Sequence, residues 1–272
     1  MENRVKDFKK RLIDTINKPE MRILPGQLAF FLLLSIIPLL AVVAAVASRF
    51  SLSIEELLNS FSKSLPTEVT DFIMQIINKG NFNTNIVIFC IVGFILASNG
   101  PHSMIIGSNL LYGIKDKDFL TRRIKAILMT IILTVLFIFV LVVPVFGNQI
   151  VKLLTDLIPN NTADNTIKIV YGILKYPVSL FIIFFFIKLL YTIAPDATIK
   201  SKTTTKGAIF TTFGWIISTE IYSLYIKRIA RYSILYGSVA NLIVLFIWIY
   251  ILSYIFVLGM ALNSTDIKDK TD

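Results

Sequence analysis

Few side chains in this 272-residue sequence combine reactivity with an unusual setting. Glu220 is the only acidic residue in the apolar stretch Gly207–Ile226, and Lys188 is the only basic one in Tyr176–Pro195. An ionisable group in such surroundings is expensive to keep charged and marks a functional site by default. Glu220, with Ser223 one turn on, would hold a proton or a cation, or else reach outward to Lys227, Arg228 or Arg231. Lys188 would draw an anion or a lipid headgroup inward, or snorkel to the nearer interface. The single histidine, His102, lies in Ser98-Asn99-Gly100-Pro101-His102-Ser103, either as a structural or interfacial residue or as a group that titrates near neutrality. Asn99, His102, Lys188 and Glu220 are therefore the candidate residues of a polar transport path. Gly100 and Pro101 are a candidate helix break, and Pro38 a candidate kink. One cysteine, Cys90, and one histidine exclude a thiolate cluster or a multi-histidine metal site. No catalytic residue, metal site or cofactor is assigned. Asp116, Asp118 and Asp196 lie dispersed among lysines and do not assemble the metal-holding set that nuclease chemistry needs.

The elements that must position these residues are long and apolar. The apolar set makes up 55% of the chain and charged residues 16%, far from the composition of a water-soluble domain. Four stretches carry no Asp, Glu, Lys or Arg: Ile23–Ser48, Gly80–Ile114, Ala126–Val151 and Tyr232–Thr265. Each exceeds the roughly 18–20 residues that cross a bilayer. With the two stretches interrupted by Lys188 and Glu220 they predict an all-α polytopic membrane protein of six transmembrane helices. The spans fall at about 24–47, 85–105, 124–146, 176–195, 207–227 and 238–262, within one membrane domain, 23–265. A basic N-tail, 1–22, and a short C-tail, 266–272, flank it. The first span is too long for a signal-peptide core and is expected to be retained.

The net charge of +10 raises the question of nucleic acid, which the distribution of charge answers. With the N-terminus in the cytoplasm, 17 of the 27 Lys and Arg residues fall on internal segments, 9 on external ones, and Lys188 within a span. That asymmetry follows the positive-inside rule and places both termini in the cytoplasm. The excess is accounted for by topology and by anionic lipid headgroups as partners. Nucleic acid is not expected as a partner, whereas a second copy or an envelope protein is compatible with the sequence.

Between the first two spans, 53–79 reads as two amphipathic helices on the outer interface. Ser53 and Glu56 form a capping box, and Thr67 follows Pro66 as the second cap. The second uncharged run is the least regular. At 35 residues it would be about 50 Å long as one helix, well beyond the ~30 Å hydrocarbon core. Two readings fit its Ser98–Ser103 interruption: a cytoplasmic turn followed by an interfacial helix, or a break lining a wet cavity. Helical rise puts Glu220 about 20 Å and Lys188 about 10 Å from the cytoplasmic side, too far apart for a direct ion pair without tilt.

Several blocks are specific enough to carry a family resemblance. They are Leu28-Ala29-Phe30-Phe31-Leu32-Leu33-Leu34-Ser35-Ile36-Ile37-Pro38; Asn109-Leu110-Leu111-Tyr112-Gly113; Leu190-Tyr191 with Pro195; Tyr236-Gly237-Ser238; Trp248-Ile249-Tyr250; and Gly259-Met260-Ala261-Leu262-Asn263. In type and order the chain resembles the YihY/BrkB family of bacterial inner-membrane proteins, also called ribonuclease BN-like. The resemblance implies a six-helix membrane fold and very little chemistry. Two departures stand out. Ala261 occupies the place of a Glu that is common in the family's closing block, so a coupling role of that carboxylate does not carry over. Gly107-Ser108 replaces the usual pair before Asn109.

Overall fold

The computed structural model describes residues 10, 13–14, 16–49, 84–136, 161–229 and 233–268. Among them the regular structure is helical, without strands. The helices are α1 (Pro19–Arg49), α2 (Thr84–Ala97), α3 (Asn99–Tyr112), α4 (119–136), α5 (Asn161–Ile193), α6 (Thr205–Ile229) and α7 (Ser233–Lys268). The expected external helices at 53–79 and the outer end of the third expected span, 137–146, lie outside the described residues.

The local sequence accounts for the ends. Pro19 opens α1 in the first turn, where its missing N–H costs nothing, and the helical backbone continues through Pro38. Asp118 begins α4 by accepting the Thr121 amide at 2.9 Å. That bond holds its carboxyl below the ordinary carboxylate value. At the end of α3, Gly113 takes φ +70°, a conformation that side chains with a Cβ rarely adopt. The Ile114 amide then reaches back to the Asn109 carbonyl at 2.8 Å and the Gly113 amide to Leu110, a Schellman closure.

The Ser98–Ser103 segment is more regular than the sequence suggests. Only Ser98 interrupts the helix, and Asn99, Gly100 and Pro101 form the first turn of α3. A proline there displaces no intrahelical donor, which is why the break stays one residue wide. On the next element, α5 starts at Asn161 and runs through Pro177, so helical structure begins well before the expected 176.

α1 packs against α2, α3 and α7, and α6 packs against α5 and α7. The core joins Met21, Leu24 and Leu28 of α1 to Met104, Ile105 and Leu111 of α3, Met129 of α4, Ile187 and Tyr191 of α5, and Phe256 and Met260 of α7. These residues cluster toward the end of the bundle that carries the connections 113–118 and 194–204. The opposite pattern marks the outside. Leu120, Ile124, Leu128, Ile131 and Val135 of α4 form one exposed apolar stripe, and Phe213, Ile217, Ile221 and Leu224 of α6 form another. Contiguous apolar surface of this kind belongs against lipid rather than water. Within α7, Ile243–Ser264 is long and apolar enough to cross a membrane. Its 22 residues match the ~30 Å hydrocarbon thickness at 1.5 Å per residue.

Candidate functional site

The closure at Gly113 turns the chain so that Asp116 returns beside Asn109, one helix turn or two from where it left. Asn109 is 1% exposed, and both donors of its side chain and its carbonyl oxygen are directed at two aspartates. Its Nδ2 donates to Asp116 Oδ1 at 2.7 Å and to Asp196 Oδ2 at 2.8 Å, while its Oδ1 accepts the Asp196 amide at 2.8 Å. Because that amide can only donate, it fixes which way the Asn109 side chain points.

Asp196, just after α5, also accepts the Lys117 amide at 3.1 Å and the Lys125 ammonium at 3.0 Å. Lys125 donates a second bond to the Pro195 carbonyl at 2.6 Å. On the other side of Asn109, Arg122 pairs with Asp116 at 3.0 Å. Burial by itself would push the Asp196 carboxyl up. The Lys117 amide, the Asn109 side chain and Lys125 outweigh it and hold the carboxyl below the ordinary value. Aspartates that look dispersed along the sequence are thus gathered by one asparagine, and the knot locks the ends of α3, α4 and α5 together.

A second buried network lies where α5, α6 and α7 meet. The Tyr191 hydroxyl donates to the Phe256 carbonyl at 2.7 Å and shares a 2.6 Å hydrogen bond with Thr211. The Gly207 amide donates to Asn263 Oδ1 at 2.8 Å. Gly207 and Gly259 allow the close crossing: a Cβ on Gly207 would collide with the Gly259 carbonyl, and one on Gly259 with the Thr211 and Tyr191 hydroxyls. The Tyr112 hydroxyl and Asn263 Nδ2 are buried without a hydrogen-bond partner among the described residues. Ala261 is fully buried in the same core.

The four candidate path residues occupy different surroundings. Asn99 accepts Arg123 Nη1 at 2.8 Å, and Arg123 Nη2 donates to the Ile95 carbonyl at 3.1 Å, so one guanidinium clamps both sides of the Ser98 break. His102 packs its ring edge-on to Phe119, with centroids 6.0 Å apart. Its Nε2 is buried without a hydrogen-bond partner among the described residues. Asn99 and His102 therefore share the α2–α3 junction. Lys188 stands apart on α5, its ammonium 5.8 Å from the Phe184 ring centroid in a cation–π contact. Glu220 is exposed on the outward face of α6, in line with Phe213, Ile217, Ile221 and Leu224.

Sequence reasoning did not single out Asn109, Lys125, Asp196 or Arg123 as site residues. A usable signal was present: Asn109 lies one turn before a helix-ending glycine, and Asp116 and Asp196 each follow closely on the end of an apolar helix. Their pairing is long-range, between positions 87 residues apart, which no local spacing reveals.

A helical core stitched by buried polar bonds, with apolar stripes turned outward, defines the class: an all-α integral membrane protein. The comparisons define the family. The profile described as Virulence factor BrkB matches residues 12–271, and the chain belongs to that family. It is 28% identical to the putative ribonuclease-like protein YfkH of Bacillus subtilis, over 94% of each chain. It is also 28% identical to the UPF0761 membrane protein PSHAa0171 of Pseudoalteromonas translucida, covering 88% of this chain and 79% of that one. With a UPF0761 membrane protein of Prosthecochloris aestuarii it shares 26% identity over 91% of this chain and 58% of the relative. No solved structure matches.

Proposed function

We propose that the protein moves an amphiphile or lipid-like molecule across the bacterial cytoplasmic membrane, along its lipid-facing surface rather than through a central aqueous pore. The observation that carries this reading is Glu220, exposed on an otherwise apolar face of α6. A helix that only packs or only faces lipid has no use for a carboxylate there. The crossing of α6 and α7 supports the same choice: Tyr191 is bonded to the Phe256 carbonyl and Asn263 to the Gly207 amide, and there is no room for a methyl group at Gly207 or Gly259. The reading includes six spans, cytoplasmic termini and anionic headgroups around the basic internal segments.

A scaffold role in a cell-envelope assembly is the second reading, and the rigid Asn109–Asp196 knot favours it. The ribonuclease-like name of the Bacillus subtilis relative is not carried over. Asp116 and Asp196 are committed to Arg122, Lys125 and Asn109 rather than open to a metal or a proton transfer on RNA.

Reconstitution into liposomes tests the proposal. Transbilayer movement of labelled anionic, zwitterionic and cationic amphiphiles is expected to exceed that in protein-free vesicles for at least one class. Rates equal to those of empty vesicles across all three would leave the scaffold reading.

A further inference from the structure

Glu220 has apolar neighbours along the helix on both sides: Phe213 and Ile217 about two turns and one turn before it, Ile221 and Leu224 after it, all exposed. Counted from Thr205 at 1.5 Å per residue, it stands about 22 Å along α6. The neighbouring helix α5 runs the other way. Pro177 stands about 24 Å from its end at Ile193, level with the carboxylate. Pro177 opens a shallow apolar crevice continued by Leu180, Phe181 and Phe184. The ammonium of Lys188 is held over Phe184, on a residue about 15 Å nearer the connection between the helices, and does not neutralise Glu220.

A carboxylate in such a setting is stabilised by a cation, and the apolar stripe around it, turned to lipid, accepts an alkyl chain in place of a lipid tail. One kind of molecule supplies both. We propose that Glu220 and the Phe213–Leu224 face of α6 form a binding site for cationic amphiphiles, the ammonium head on the carboxylate and the apolar tail along the stripe. The role of this site rests on the flux reading, and its chemistry names the class of molecule that reading leaves open. Selectivity follows from charge: an anionic amphiphile of equal chain length meets the same apolar surface but a repelling carboxylate.

Binding of radiolabelled dodecyltrimethylammonium to the full chain in nanodiscs of zwitterionic phosphatidylcholine tests the site. Saturable binding is expected, weakened at least about tenfold by Glu220→Gln, the scale of a lost charge-assisted contact. Glu220→Asp is expected to retain most of the affinity, and Lys188→Met to leave it unchanged. Because Glu220 is exposed, its replacement leaves the core intact, and a monodisperse gel-filtration profile checks that. Equal affinity in Glu220→Gln, or equal binding of dodecyl sulfonate, overturns the proposal. The two readings fail separately. Movement of amphiphiles that persists undiminished in Glu220→Gln removes the site and keeps flux, whereas saturable Glu220-dependent binding without movement of any amphiphile removes flux and keeps the site.

Discussion

Replacing Asp196 by alanine takes away the acceptor shared by Asn109, Lys117 and Lys125 and strands a half-buried ammonium. The Asp196 side chain is 1% exposed, so the loss falls in the range for breaking a buried pair, about 3–5 kcal/mol. A fall in thermal midpoint of the detergent-purified protein, read by fluorescence-detected gel filtration, is the expected result. The knot also sets a pH dependence. The carboxyl of Asp196 is held below its ordinary value in the folded state, so its contribution is complete above the ordinary carboxylate pKa of about 4 and is lost as pH falls through the depressed folded value. The difference in thermal midpoint between wild type and Asp196→Asn is therefore expected to hold steady above about pH 4 and to shrink as pH falls below it toward the depressed folded value. A constant difference across that range would show that ionisation of Asp196 contributes nothing.

At the scale of elements, the crossing of α6 and α7 is the most constrained contact. Without a hydrophobic drive between helices in lipid, close packing and buried hydrogen bonds supply the association. Gly259→Ala inserts a methyl group against the Thr211 and Tyr191 hydroxyls, and Gly207→Ala against a backbone carbonyl. Each is expected to destabilise by about 1–3 kcal/mol or more, measured as loss of midpoint, and Tyr191→Phe by about 1 kcal/mol. At the α2–α3 junction, Arg123→Leu removes the clamp on Ile95 and Asn99. Faster amide hydrogen exchange confined to residues near 95–103 is the expected signature.

These contacts separate what the sequence discloses from what it cannot. The helices were legible because uncharged runs of more than twenty residues have few alternatives. The Ser98 interruption was legible, but not that Pro101 would settle into a first turn and leave a break of one residue. The Asn109–Asp196 knot was hidden, since its members are brought together only by the packing of α3, α4 and α5.

For the whole molecule, orientation is the first expectation to check. The count of 17 basic residues on internal segments against 9 on external ones predicts that single cysteines at Lys200 and Lys270, in a Cys90→Ser background, react with a membrane-impermeant maleimide only after the cytoplasmic side is opened. Labelling of either position in intact cells would reverse the orientation. With that fixed, the proposed flux becomes a question about the exposed carboxylate of Glu220. The most direct measurement is the rate at which a fluorescent alkyl-ammonium amphiphile crosses the bilayer of proteoliposomes containing wild type or Glu220→Gln at equal density. The predicted result is acceleration over protein-free vesicles by wild type, falling about tenfold or more toward the empty-vesicle rate in the variant. Equal rates for wild type, variant and empty vesicles would contradict surface-guided flux.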